Sequence, residues 1–360
     1  MAVIKPGGVI GILGGGQLGR MTAVAAAEMG YRTHIFCPEL DSPATHVASV
    51  VTHADYDDYA ALEKFANSVD VVTFEFENIP DKAVEALAKH VAVRPHWRAL
   101  HVAQNRLREK GLMREMGIAV ANFEPVQSVQ ELKDAYRAIG TEKAILKTCE
   151  LGYDGKGQAI IDAGSDLDSI WSSSGFKDAV LEAFVPFEVE ISVVVARDIY
   201  GKMVTFPVGE NVHKAGILDI TTVPANVKKS VAETAENYAK DIAQELEVVG
   251  LLAVEFFVTK SGEVLVNEMA PRPHNSGHWT QDGCDTSQFE QFVRAVCGLP
   301  LGSVRQHSKV VMHNLIGADV DRWEDIYGGD SAANVHLYGK HESRPGRKMG
   351  HVNYISPLSN

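Results

Sequence analysis

The chain predicts an α/β fold that begins on a parallel sheet and ends on antiparallel strands. Three observations carry this. Over the first hundred residues, short apolar runs alternate with segments of helical spacing, the rhythm of βαβ units. From 123 to about 195 a smaller α/β unit surrounds a glycine-rich loop. From 189 onward long β-rich runs dominate, two of them joined by a tight turn.

Taken in order, VIGILG (9–14) is an apolar run ending in glycines, and LGRMTAVAAAEMG (18–30) has helical spacing and a terminal Gly. RTHIFC (32–37) and DVVTFEFE (70–77) are strands, with a helix over 59–68 between them. DKAVEALAKHV (81–91) supplies a helix, RPH (94–96) breaks the pattern, and one long helical stretch runs from about 97 to 117. The next unit holds a helix (129–139), a strand (144–148), the glycine-rich loop, a strand (158–162) and an apolar segment (179–185). VEISVVVAR (189–197) follows, then a helix over 227–249. LLAVEFFVTKSGEVLVNEMA (251–270) is a hairpin turning at Lys260-Ser261-Gly262, and strand-like runs lie near 309–316, 334–338 and 351–355. There is no internal repeat or low-complexity tract.

The 360 residues are 45% apolar and 22% charged, the balance of two or three soluble domains. A formal net charge of -13 argues against nucleic acid as a partner but leaves small phosphorylated ligands open. Cys37, Cys149, Cys284 and Cys297 show no Cys-x-x-Cys spacing, so free thiols and a cytoplasmic location are expected. Lys5, Pro6 and several glycines interrupt the apolar N-terminus, which therefore predicts a strand and turn, not a signal peptide. No apolar run reaches about 18 residues, so no membrane span is expected.

Two glycine loops invite a phosphate. Gly14-x-Gly16-x-x-Gly19 joins a strand to a helix, where backbone N–H groups and the helix N-terminus favour an anion. A dinucleotide would need an acid ending the second strand, but Glu39 follows Pro38. A dinucleotide, another phosphate and a merely structural tight turn all stay open. The second loop, Gly152-Tyr153-Asp154-Gly155-Lys156-Gly157-Gln158, follows Lys147 and lacks the Ser or Thr of a Walker loop. It suits a flap with a cation on each side, or a hairpin turn with a surface lysine.

The 251–270 hairpin brings Glu255 near Asn267-Glu268 within apolar runs. Paired acids there call for a hard cation such as Mg²⁺, unless one is solvated and the other ion-paired. The loop after it is made rigid by Pro271 and Pro273 and presents Arg272, His274, Asn275 and Ser276. His278 receives no role from spacing.

Lys147, the GYDGKGQ loop, Glu182-x-x-Val185, Glu190, Glu255 and Asn267-Glu268 together resemble an ATP-grasp ligase. GGGQLGRM, TFEFENIP (73–80), APRPHNSGH and GRKMGHVN (346–353) narrow the resemblance to the N5-carboxyaminoimidazole ribonucleotide synthetases, over about 9 to 355. The resemblance implies an ATP-grasp fold in three parts. These are a Rossmann-like pre-ATP-grasp sheet (1–105), a central region with a small lid (106–190) and a mixed α+β C-terminal domain (191–360). ATP would lie between the lid and the large domain.

By resemblance, Arg106 and Lys147 contact ATP phosphates under the flap of Gly152, Tyr153, Asp154, Gly155, Lys156, Gly157 and Gln158. Glu182 and Val185 meet adenine through backbone, Glu190 takes the ribose, and His213 lines the site. Glu255 and Glu268 hold Mg²⁺ beside Asn267. Gln17 and Glu75 face the aminoimidazole ribonucleotide, with Asn275 and Ser276 nearby, and Arg347 and Lys348 meet its phosphate. Tyr153, Lys156, Arg272 and His274 surround the carboxylation centre.

The implied chemistry is purine-biosynthetic carboxylation through carboxyphosphate, with ATP and Mg²⁺ but neither biotin nor NAD. A homodimer and coupling to the following mutase are also implied. Another ATP-grasp ligase, an NAD-dependent oxidoreductase and a non-catalytic nucleotide sensor are the rival readings.

Overall fold

The computed structural model describes residues 3–152 and 156–358. Tyr153, Asp154 and Gly155 of the expected flap lie outside these residues.

The first sheet grows from apolar strands too short to be stable alone. β1 (Val9–Leu13), α1 (Gln17–Glu28), β2 (Arg32–Phe36), β3 (Val50–Thr52), α2 (Tyr59–Ala66) and β4 (Val71–Phe74) give a parallel sheet of order β3-β2-β1-β4. Ile10, Ile12, Ile35, Phe36, Val71 and Phe74 are fully buried, as a sheet covered on both faces requires. After α3 (Asp81–Ala88), two helices replace the single one expected over 97–117: α4 (Trp97–Ala103) and α5 (Arg106–Glu115). The reason is Asn105. Its backbone is extended, and its side-chain oxygen accepts from the N–H groups of Leu107 and Arg108, so it starts a new helix.

The second sheet is antiparallel. It comprises β5 (Phe123–Val126), β6 (Lys143–Thr148), β7 (Gln158–Asp162) and β8 (Ala179–Ala183), in order β5-β8-β6-β7. α6 (Val129–Ile139) and α7 (Leu167–Ser174) accompany it. α6 occupies the predicted span because Ser128 caps its first turn and Gly140, at φ 65°, ends it in the left-handed region. Val126, Leu132, Leu146, Ile161 and Leu181 form a core private to this unit.

The third sheet has nine strands. β9 (Phe187–Arg197), β10 (Met203–Thr205), β11 (Gly209–Lys214), β12 (Ile217–Val223), β13 (Gly250–Thr259), β14 (Val264–Ala270), β15 (Ser308–Ile316), β16 (Ala333–Leu337) and β17 (Lys348–Pro357) run β14-β13-β9-β11-β12-β15-β17-β16, with β10 on β9. Every pairing is antiparallel. α8 (Lys229–Glu245) lays Val231, Ala235, Ala239 and Ile242 against β9 and β13. It is shorter than the expected 227–249, starting after Lys228 in an extended conformation. The short α9 (Thr280–Gly283) follows the loop after β14, and α11 (Trp323–Gly329) precedes β16. α10 (Gln288–Cys297) packs on both β13 and α1. Its Phe289, Phe292 and Val293 thus share one core with Ile10, Ala23 and Ala26, welding the first sheet to the third.

Candidate active site

The C-terminal ends of β1 and β4 open on a cleft, the usual place for a ligand in a parallel sheet. Its volume is about 350 Å³, and its opposite wall comes from α5, β13, β14 and the loop after β14. Gln17, Glu75, Arg106, Gly152, Glu255, Glu268, Arg272, His274, Asn275 and Lys348 all line it.

The first glycine loop donates to the protein's own carboxylate. Gly16 N–H meets Glu75 Oε1 at 2.8 Å, and Gly19 N–H meets Oε2 at 3.4 Å. This close approach explains the glycines. A Cβ on Gly14, at φ 103°, would lie 2.6 Å from Glu75 Cγ, and one on Gly16 would lie 2.5 Å from Oε1. Burial pushes the Glu75 carboxyl up, and the two amides pull against it.

The hairpin turns where expected. Glu255 and Glu268 stand directly opposite each other, after which the register slips at Glu255/Phe256, so that Phe256 faces Val266. Asn267 is left over in a bulge, a device that re-aims a side chain. Burial and the neighbouring Glu268 charge push Glu255 up to about 7. Burial acts on Glu268 in the same direction, but Arg106, Lys147 and His213 outweigh it and hold Glu268 below its ordinary range. Arg106 Nη1 stands 3.5 Å from Glu268 Oε2. Two facing carboxylates, one resisting ionisation because of burial and its neighbour's charge, form a hard oxygen pair that suits a divalent cation.

Four other expected residues lie just outside this cleft. The Lys147 ammonium is 3.0 Å from Glu182 Oε2, so the two expected residues form a buried ion pair. Burial pushes the Lys147 ammonium down, opposed by Glu182. Glu190, on β9, pairs with His213 on β11. Burial disfavours the charged imidazole, yet the Glu190 bond and the Glu255 charge raise the His213 pKa.

Val185 lies in the link between β8 and β9, its carbonyl accepting from Phe187 N–H at 2.9 Å. Gly157 accepts from Thr148 N–H at 2.9 Å, Gln158 opens β7 opposite Lys147, and Lys156 is exposed.

The proline-bounded loop is held tightly. Arg272 pairs with Glu77 and donates to Pro273 O at 3.0 Å. His274 Nε2 lies 3.6 Å from Glu255 Oε1, and its Nδ1 lies 2.9 Å from the buried Ser276 hydroxyl. Burial, with Arg272 and Lys348 nearby, keeps the His274 imidazole neutral. Asn275 is buried with neither amide atom bonded among the described residues, a need that a polar ligand in the cleft would meet. Gln288 clamps His274 at both ends of its backbone, accepting from its N–H at 2.9 Å and donating to its carbonyl at 2.8 Å.

The expected basic pair is split. Lys348 faces the cleft, whereas Arg347 donates to Glu342 O at 2.8 Å and borders an adjacent hollow with Lys340, Arg344 and His46.

Sequence reasoning missed Glu77, Glu109, Lys110 and Gln288. Glu109 and Lys110 follow Arg106 by three and four residues, the spacing of one helix face, which was a usable signal. Glu109 accepts Met269 N–H at 2.6 Å, and burial pushes it up to about 7. Lys110 lies 3.2 Å from Glu182 Oε2. Nothing local marked Gln288.

Comparison with known proteins agrees in each region. Residues 8–104 match the ribonucleotide synthetase preATP-grasp domain, 111–289 the ATP-grasp domain, and 310–359 the phosphoribosylaminoimidazole carboxylase C-terminal domain. The N5-carboxyaminoimidazole ribonucleotide synthase of Brucella melitensis is 47% identical over 98% of both chains. The bifunctional purine synthesis protein purC/E of Dictyostelium discoideum is 46% identical over 97% of this chain, which spans 37% of that protein.

A solved ADP complex of N5-carboxyaminoimidazole ribonucleotide synthetase superposes with a TM-score of 0.95 at 44% identity, covering 99% of this chain and 94% of that one. The Aspergillus clavatus synthase with ADP and aminoimidazole ribonucleotide gives 0.91 at 27%, covering 98% and 94%. With matches along nearly its whole length, the chain belongs to the N5-carboxyaminoimidazole ribonucleotide synthase family, ATP-dependent ligases built on the ATP-grasp fold.

Proposed function

We infer that this chain carboxylates the exocyclic amine of 5-aminoimidazole ribonucleotide, using bicarbonate and ATP and releasing ADP and phosphate, in purine biosynthesis. The observation that carries the inference is the meeting of two walls in one cleft. Arg106, Glu255 and Glu268 stand on one side, and Gln17 and Glu75 on the other, with Arg272, His274 and Lys348 between.

Bicarbonate attacks the γ-phosphorus of ATP in line, forming carboxyphosphate and ADP. Arg106 and Lys147 neutralise charge on the phosphates, and positioning does most of the work. Glu255 and Glu268 would hold Mg²⁺, which supplies further neutralisation. Carboxyphosphate then gives CO₂ and phosphate, and the amine attacks CO₂ and loses a proton to that phosphate while Lys348 anchors the ribonucleotide. Closure of the small lid within the 106–190 central region excludes water from the acyl phosphate. The rigid Arg272–His274 loop keeps its shape throughout, because Glu77 and Gln288 hold it.

The proposed setting is cytoplasmic, as a homodimer, with product passing to the following mutase. The described residues contain no helix long and apolar enough to cross a membrane. The fused Dictyostelium protein favours such coupling.

The test is ADP release from MgATP with the ribonucleotide and bicarbonate each present or omitted. Release that requires both supports the carboxylase. Turnover indifferent to the ribonucleotide would keep the nucleotide site and reject the substrate.

A further inference from the structure

We propose that Lys110 is a positioning residue of the nucleotide site: it shares the Glu182 carboxylate with Lys147 and takes it over when Lys147 turns to a nucleotide phosphate. This rests on the assignment of Lys147 as a phosphate contact.

The three groups come from three elements. Lys147 is the penultimate residue of β6, Glu182 sits on the neighbouring inner strand β8, and Lys110 projects from α5. Both ammonium groups converge on the same oxygen, Glu182 Oε2, at 3.0 and 3.2 Å. The other oxygen, Oε1, is buried with no hydrogen-bond partner among the described residues. Lys110 is 1% exposed and Glu182 2%. Lys110 is fixed from behind, donating to the carbonyl of Asn267 at 3.3 Å.

A single buried carboxylate cannot be left without a counter-charge, because an unpaired buried ion is strongly destabilising. Were Lys147 its only partner, moving that ammonium to a phosphate would strand Glu182. With Lys110 locked in place, the carboxylate stays neutralised and Lys147 carries the surplus positive charge of the trio. Lys147 is 8% exposed against 1% for Lys110 and is the member able to move. Lys110 therefore acts through Glu182 and Lys147 and needs no contact with substrate.

The experiment is a titration of the full chain with MgADP, together with KM values for ATP and for the ribonucleotide. The variants are Lys110→Met, Lys110→Arg and the double variant Lys110→Met/Glu182→Gln. Lys110→Met is expected to weaken MgADP binding and raise the KM for ATP about tenfold or more, with the ribonucleotide KM within about twofold. Lys110→Arg, which keeps the charge, should stay within about threefold of the parent. The double variant should regain most of the lost affinity, because Lys147 no longer has an anion holding it back.

A double variant that binds MgADP as weakly as Lys110→Met would overturn the proposal. So would equal losses for both substrates. If Lys110→Met does not fold, Lys110→Met/Glu182→Gln is compared directly with the parent. Binding within about threefold supports the role, and a larger loss rejects it. MgADP binding is measured with the amine substrate omitted. A parent protein that binds MgADP but ignores the ribonucleotide would refute the carboxylase reading and leave this test standing.

Discussion

At the scale of single residues, the Glu255–Glu268 pair is the most sensitive point. Glu268→Gln removes half of a hard oxygen pair while keeping its shape. ADP formation should fall by at least about a hundredfold with an unchanged melting temperature, since catalytic charge neutralisation is of that size. Turnover close to the parent's would overturn the proposed role of Glu268 in holding Mg²⁺. Lys348→Ala should mainly raise the KM for the ribonucleotide. Arg347→Ala should change it less, because the Arg347 guanidinium is engaged by Glu342 O and borders the adjacent hollow. A KM change seen only for ATP would move Lys348 to the other substrate. Much of this was legible: Glu255, Glu268, Arg272 and His274 come from local motifs whose spacing survives folding. Gln288 was not, because its bond to His274 joins positions 14 residues apart that only the third sheet's packing brings together.

At the scale of elements, the strand-to-helix turn of the first sheet depends on fit. Gly16→Ala is expected to displace the Glu75 carboxylate and break its hydrogen bonds from the Gly16 and Gly19 N–H groups, destabilising the protein by about 1–3 kcal/mol. It should also weaken ribonucleotide binding, and thermal denaturation with substrate titration would detect both. The sequence could not separate a phosphate loop from a tight turn here, because both need glycines at the same spacing. Only the structure brings Glu75, from the end of another strand, onto the amides.

The link from α5 to β8 makes a pH prediction. Burial would raise the Glu182 carboxyl, but Lys110 and Lys147 pull it down to about 2, below the ordinary value of 4.5. A depressed carboxylate stabilises the fold above its unfolded value and loses that contribution as pH falls through its folded value. On the order of 3 kcal/mol should thus disappear between pH 4.5 and about 2. Glu182→Gln should flatten acid unfolding in that window, and an unchanged acid profile would count against the pairing.

At the scale of the whole molecule, a stack of imidazoles joins the loop after β14 to the last strands. His278 lies over His351 at 4.7 Å, and His336 over His351 at 4.5 Å. Burial pushes His278 and His351 well below the ordinary 6.5, so both are neutral in the fold. Their stabilising contribution is complete above pH 6.5 and declines as pH falls below it, since the unfolded chain takes up protons that the fold refuses. The melting temperature should therefore drop between pH 6.5 and 5, and His351→Phe should reduce that slope. A slope unchanged in this variant would place the acid sensitivity elsewhere. The global architecture was readable from the sequence where hydrophobic period and turn chemistry agree, as in α6 and the 251–270 hairpin. It was not readable where one capping side chain decided the outcome, as Asn105 does between α4 and α5.

The small antiparallel sheet has a core of its own, while the other two sheets share theirs across α1 and α10. The chain enters that sheet after α5 and leaves it through the 184–186 link. Residues 123–183 are therefore a cassette. A chimera carrying the corresponding segment of a relative should fold if two seams are matched. One is the small apolar cluster of Phe123, Cys149 and Val180 against Leu107 and Val120, and the other is the charge at Glu182 facing Lys110. Such a graft would exchange Lys147 and Glu182 together with their small sheet while leaving Gln17, Glu75, Arg272, His274 and Lys348 in place.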